Sequence, residues 1–149
     1  MVRSFTVVTR APGPRERLFD LSLDIDAHAA SMSPSGEQAI AGVRSGAIGL
    51  GESVTWRARH FGVLFTMTST ITALDRPSRF VDEQTRGPFR SFRHEHVFTR
   101  DGEDTVMIDT VTLASPVFGA VAERFVLVPY LRQLIVARNR HLVAALARR

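Results

Sequence analysis

The sequence predicts a single α+β domain over residues 1–149. A curved antiparallel seven-stranded sheet, in the chain order β-α-α-β6-α, wraps around a long C-terminal helix. Three observations lead there. Residues 37–115 hold segments of alternating polar and apolar residues separated by turn signals. From Val117 onward the apolar residues recur every three or four positions instead. The strands therefore come in one run and a helix follows, which indicates an antiparallel sheet and not alternating βαβ units.

Residues 3–9 alternate and are rich in Val, Thr and Phe, a first strand that Ala11-Pro12-Gly13-Pro14 breaks. Arg15–Leu21 sets Leu18, Phe19 and Leu21 beside Arg15, Glu16 and Arg17, a short helix opened by Pro14. Leu23–Met32 is a second helical piece, ended by Ser33-Pro34-Ser35-Gly36. Glu37–Arg44 is a strand, and Gly46, Gly49 and Gly51 form a loop without the Lys-Ser/Thr ending of a phosphate cradle. Glu52–His60 puts Val54, Trp56, Ala58 and His60 on one face, and Leu64–Leu74 does the same with Phe65, Met67, Ser69 and Ile71. Asp75-Arg76-Pro77-Ser78 is a turn, Arg79–Thr85 a strand, and Gly87-Pro88 a break. Phe89–Thr99 places Arg90, Phe92, His94, His96 and Phe98 together, and Asp101-Gly102 turns the chain into a last strand, Asp104–Ala114. The final segment reads as an amphipathic helix of about thirty residues. Pro129 should kink or break it near Leu127.

Bulk properties bound the function. At 149 residues the chain can bury roughly 70% of its unfolded surface and folds without a metal or disulfide. The absence of Cys removes thiolate metal sites, iron–sulfur clusters and cysteine nucleophiles. No apolar run reaches the roughly 18 residues of a membrane span, and Met1–Val8 lacks the apolar stretch of a signal peptide. A soluble, cytoplasmic protein is expected. The net charge of +4 is spread along the chain with acids between the Arg residues, so no nucleic-acid stripe is expected.

The predicted shape implies a cavity. A helix is only about 10 Å wide, whereas a curled sheet of seven strands presents a broader concave face. The inner-face candidates are Trp56, Phe65, Met67, Phe92, Phe98 and Met107, joined by His60, His94, His96 and Asp109. Unpartnered buried polar groups cost roughly 1–3 kcal/mol each, so several on one apolar face indicate a wet or ligand-filled pocket.

Several segments carry a family resemblance. Val54-Thr55-Trp56-Arg57-Ala58-Arg59-His60-Phe61-Gly62, Asp75-Arg76-Pro77, Phe80-Val81-Asp82-Glu83-Gln84, Gly87-Pro88-Phe89 and His94-Glu95-His96-Val97-Phe98 resemble the ligand-binding SRPBCC proteins. Glu16-Arg17-Leu18-Phe19-Asp20-Leu21 matches that group's opening helix. This helix-grip superfamily includes START lipid-transfer domains, polyketide cyclases/aromatases and the birch-pollen allergen family. The resemblance implies the fold and a pocket, and no particular reaction.

His94 and His96 share a strand face, and His60 could join them. Their chemistry suits polar anchoring of a ligand, general acid/base work, or plain structural hydrogen bonding. A metal would need a converging carboxylate from Asp82, Glu83 or Asp109; none is expected, and no cofactor. Arg90 shares parity with His94 and reaches the pocket mouth in this reading. Arg57, Arg59, Arg93 and Glu95 form a charge ladder on the convex face. Phe118, Phe125, Tyr130 and Leu131 line the start of the long helix, as core or as a movable gate. The leading expectation is a carrier or sensor that binds a small hydrophobic, lipid-like or polycyclic molecule. The predicted cavity residues are Trp56, His60, Phe65, Met67, Arg90, Phe92, His94, His96, Met107, Asp109 and Phe125. Two alternatives stay open: a cyclase/aromatase- or hydrolase-like enzyme using cavity histidines, and a regulatory protein-interaction module. Neither nucleic acid nor membrane insertion is expected, and a homodimer is left open.

Overall fold

The computed structural model describes residues 2–115 and 122–148. Its elements are β1 (Val2–Pro12), α1 (Arg15–Ser22), α2 (Ile25–Ser31), β2 (Gln38–Gly42), β3 (Ser53–His60) and β4 (Val63–Asp75). β5 (Arg79–Arg86), β6 (Ser91–Asp101), β7 (Asp104–Ala114) and α3 (Val128–Ala147) complete the order. The seven strands form one antiparallel sheet in the order β1-β7-β6-β5-β4-β3-β2, so β1 and β2 are its two edges. The predicted α+β architecture is the one observed.

Local sequence explains the joints. The β3–β4 hairpin turns on Phe61 and Gly62, both at positive φ (55° and 75°), as a two-residue turn matching the strand twist requires. The β4–β5 register shifts twice, leaving Thr85 extra on β5 opposite Thr68 and Ser69, and Thr72 extra on β4 between Ile71 and Ala73. Such bulges bend a strand and tighten the sheet's curl. Asp24 caps α2, accepting from the Ala27 backbone N–H at 2.9 Å.

Two apolar clusters hold the long helix in the curled sheet. In one, Leu18 and Phe19 of α1 pack with Phe80, Phe98 and Met107 of the sheet and with Leu142 and Leu146 of α3. The Phe19 ring meets Phe80 and Phe98 edge-on at 5.6 and 5.2 Å. In the other, Phe5, Val7, Val111 and Leu113 of β1 and β7 pack with Leu127, against Phe92, Leu131 and Ile135. Full burial of each such side chain is worth about 1.5–3 kcal/mol.

The long helix departs from expectation in its first turns. Its predicted start at Val117, and Phe118, lie outside the described residues. Near Leu127 the helix neither breaks nor ends: Glu123–Leu127 form a π-helical turn that leads directly into α3. Pro129 has no N–H to donate to the preceding turn, and the wider turn absorbs that loss. Among the described residues no helix is long and apolar enough to cross a membrane.

Candidate functional site

A cavity of about 480 Å³ lies between the concave face of the sheet and α3. Pleating delivers its sheet wall, since alternate residues of β3 (Val54, Trp56, Ala58, His60) and β4 (Phe65, Met67, Ser69, Ile71) point inward. The π-turn's Leu127 and α3's Tyr130, Leu131, Leu134, Ile135 and Arg138 close the other side, a stripe at helical spacing. The Gln84 side chain clips the Pro88-Phe89 bend at both ends, donating to the Phe89 carbonyl (2.7 Å) and accepting from its N–H (3.2 Å). This holds Phe89 and Phe92, 5.0 Å apart, at the wall.

A charged cluster forms one end of the cavity. Asp82, His94, His96 and Asp109 come from three neighbouring strands. Asp82 stands opposite His94 across β5–β6, and His96 stands opposite Asp109 across β6–β7. The hydrogen bonds run along the diagonals, from His94 Nε2 to Asp109 Oδ1 at 2.7 Å and from His96 Nε2 to Asp82 Oδ2 at 2.7 Å. The two imidazoles stack at 3.7 Å. α3 adds Arg138, whose Nη1 lies 3.4 Å from Asp109 Oδ1, and Asn139, whose amide donates to Asp109 Oδ2 (2.8 Å) and to Thr9 (2.9 Å).

This environment separates the protonation states. Burial and the neighbouring His96 charge push His94 down to about 4, against its bond to Asp109. Burial also opposes charge on His96, but the Asp109 carboxylate 3.1 Å from Nδ1 and the Asp82 carboxylate bonded to Nε2 outweigh it and raise its pKa. For Asp82 and Asp109, burial favours the neutral acid, yet the bonds from the histidines prevail and hold both carboxyls below their usual range.

A second polar group stands apart. His60 Nδ1 and the Tyr130 hydroxyl lie 2.6 Å apart, and Tyr130 packs on Phe61 at 4.4 Å. Burial lowers the pKa of His60, which favours the neutral ring, and a neutral ring can accept a hydrogen bond from the phenol hydroxyl on Nδ1. A third pair, His28 and Glu37, is bonded at 2.7 Å and lies against Trp56, with ring centroids 4.5 Å apart.

Of the sequence-predicted residues, Trp56, His60, Phe65, Met67, Phe92, His94 and His96 lie on the cavity wall. Four do not. Arg90 is exposed, because β6 begins only at Ser91 and strand parity does not extend into the bend before it. Met107 is fully buried in the α1 cluster, filling space instead of bordering it. Asp109 is buried behind the histidines and supports them. Phe125 is 66% exposed, because the wide π-turn rotates it away from the stripe that begins at Leu127. The three imidazoles do not converge: His60 pairs with Tyr130 and not with the other two. The convex ladder forms around Arg79, whose Nε lies 2.7 Å from Glu95, with Arg93 at 3.9 Å, whereas Arg57 bonds Gln38.

Sequence reasoning missed Arg138 and Asn139. Both sit in the apolar stripe of α3, and a charged and an amide residue at core-facing positions was the available signal. Of the Asp82/Glu83 pair, it is Asp82 that faces inward. With His94 and His96 it makes a group whose ligand atoms lie within 4.8 Å of one another, close enough to hold a metal ion. The nearly parallel stacking of the rings (18°) fits this poorly, since imidazole lone pairs lie in the ring plane and cannot aim at one ion between stacked rings.

No protein-family model matches the chain, and no curated protein matches it either. Solved structures do. Protein TTHA0849 from Thermus thermophilus is 21% identical, with a TM-score of 0.74 over 96% of this chain and 99% of its own. The Zhui aromatase/cyclase from Streptomyces sp. R1128 is 18% identical, with a TM-score of 0.78 over 100% of this chain and 96% of its own. A START superfamily protein from Mycobacterium smegmatis is 12% identical, with a TM-score of 0.73 over 96% of this chain and 98% of its own. These likenesses cover nearly every residue on both sides, and this chain has the helix-grip fold that its resemblance to the SRPBCC proteins implied.

Proposed function

We propose that this chain binds a small hydrophobic molecule inside the sheet, as a carrier or a sensor. The observation that carries the reading is the open cavity of about 480 Å³ walled by Trp56, Phe65, Met67, Phe92 and Leu131. That volume falls within the roughly 300–1,000 Å³ of small-molecule sites. Apolar wall exposed to water is unfavourable by about 25 cal/mol per Å², and a guest removes that cost. The test is titration with the uncharged dye N-phenyl-1-naphthylamine. Trp56 is the only Trp of the chain and lies on the wall, so it reports occupancy directly. We expect saturable dye uptake with quenching of Trp56, and Met67→Trp should abolish it. Uptake unaffected by Met67→Trp would refute binding in this cavity. Native mass spectrometry of protein from its own host would then identify the resident molecule.

One observation favours a second reading, an acid–base enzyme. His94 and His96 are both bonded to carboxylates and both border open space. A neutral imidazole beside a charged one can take and return a proton on a bound molecule. Turnover of a bound carbonyl compound that is lost in His94→Gln, with dye binding retained, would favour this reading.

A further inference from the structure

The large apolar side chains left in water are unevenly placed. Five of the nine among the described residues stand together at one end of the molecule, beside the cavity. Phe61, Val63 and Leu64 form the tip of the β3–β4 hairpin, each more than half exposed. Phe125 and Val126 of the π-turn are exposed to the same degree. The Phe61 ring lies 4.4 Å from that of Tyr130, one turn beyond Val126, so the two groups meet. Single exposed apolar residues are ordinary, whereas a cluster of them marks a surface that meets something other than water.

The charges at this end are distinctive as well. Arg59 leads into the hairpin tip and stands opposite Leu64 in the ladder. The Arg124 guanidinium lies over the Phe125 ring, 5.3 Å from its centroid. Arg86 and Arg90 flank the β5–β6 turn at the same end of the sheet. All four are exposed, and among the described residues none of them forms an ion pair. Residues 59–65, 86–90 and 124–130 contain no Asp or Glu, and Glu123 is buried and bonded to Arg3. The opposite end pairs its charges, Arg10 with Asp101 and Asp104, and Arg76 with Asp20.

The shape of the tip selects the occupant. Val63 and Leu64 are neighbours on a strand, so they point to opposite faces, and Phe61 sits in the turn itself. The tip is therefore apolar on both sides. The flat face of a folded partner covers one side and leaves the other wet, whereas a lipid interface surrounds a protrusion. Unpaired Arg beside such a tip suits an anionic headgroup layer.

We propose that the β3–β4 hairpin tip and the π-turn seat this protein on an anionic lipid surface. The apolar tip enters the headgroup layer and spans nothing, and Arg59 and Arg124 meet the phosphates. Phe61 also borders the cavity, so the docked surface includes part of its rim. Docking does not depend on what the cavity holds.

The test is co-sedimentation of the full chain with vesicles of phosphatidylcholine alone and of phosphatidylcholine mixed with phosphatidylglycerol. Each Arg near an anionic surface strengthens binding about fivefold, so Arg59 and Arg124 together predict binding at least about tenfold tighter to the mixed vesicles. Sodium chloride at about 1 M should remove that preference, since it screens charges beyond about 3 Å. Leu64→Glu and Phe125→Glu should each weaken binding to mixed vesicles by about tenfold or more, and Arg59→Glu with Arg124→Glu should erase the preference for them. Val8→Glu, at an equally exposed apolar position on β1, should leave binding unchanged. No vesicle binding, equal binding to both vesicles, or binding weakened as much by Val8→Glu as by Leu64→Glu overturns the proposal. A dimer in analytical ultracentrifugation that Leu64→Glu and Phe125→Glu both dissolve would assign the surface to a second copy of the chain and overturn it as well. The comparison between vesicles needs no variant and no dye, so it stands or falls apart from the cavity reading.

Discussion

Replacing Asp109 with Asn tests the electrostatic logic of the site with the least change in shape. Asp109 is completely buried and takes hydrogen bonds from His94 at 2.7 Å and Asn139 at 2.8 Å, with Arg138 at 3.4 Å. The amide keeps the volume but removes the charge, and it turns an NH2 group toward neighbours that are themselves donors. Arg138 and His96 then share Asp82 as their only close carboxylate among the described residues. Breaking one side of a buried ion pair costs about 3–5 kcal/mol. For a domain of this size each kcal/mol lowers Tm by about 2–4 °C, so a drop of roughly 10 °C is expected. Urea unfolding followed by far-ultraviolet circular dichroism should show a lower midpoint at unchanged slope. The double replacement Asp109→Leu with Arg138→Met removes both charges and should cost less than Asp109→Asn alone. A loss under about 1 kcal/mol for Asp109→Asn, or a double variant as weak as the sum of its parts, would refute the reasoning.

Three further outcomes are expected. Because His94 sits at about 4 in the folded protein against 6.5 when free, the unfolded chain takes up a proton that the folded one refuses as pH falls through that window. Stability should therefore decline by up to about 3 kcal/mol between those values. The lowered pKa values of Asp82 and Asp109 extend the loss below 3.8, whereas the raised value of His96 withdraws stability as pH climbs past it. His94→Gln should flatten the upper part of the acid limb in urea titrations across pH, and an unchanged limb would count against this assignment. Tyr130→Phe removes the hydroxyl bonded to His60 and should cost about 1 kcal/mol in urea unfolding while raising the His60 pKa by NMR titration. Gly42→Ala should cost more than about 1 kcal/mol in the same assay, because the residue has φ of 73° and its new Cβ would collide with the Ser53 carbonyl.

The fold was legible because its signals are local. The alternation of Val54, Trp56 and Ala58 against Thr55 and Arg57 declares both a strand and its inner face, and burial follows it residue by residue. Turn residues such as Asp101-Gly102 marked the hairpins within a residue or two. The inward face was legible wherever parity ran unbroken, but parity does not tell open wall from filled core, so Met107 and Asp109 face inward without lining the cavity, and at Arg90 and Phe125 a bend and a π-turn reset the phase itself. The charged cluster could be read only by half. Its histidines show their common face two positions apart on one strand. The diagonal pairing with Asp82 and Asp109, and the arrival of Arg138 from α3, depend on register and on how the helix is rolled. Neither is written in a local period.

The two halves of the long helix are held unequally. Toward its C-terminal end, Arg138 and Asn139 grip β7 and β1, Leu142 and Leu146 sit in the α1 cluster, and Arg17 bonds the Leu146 carbonyl at 3.1 Å. Ahead of Arg138, the inward face of the helix borders open space at Tyr130, Leu131 and Leu134. Packing and polar contacts therefore fix the helix beyond Arg138 on several elements, whereas ahead of it the Tyr130–His60 bond ties its cavity-facing side to β3.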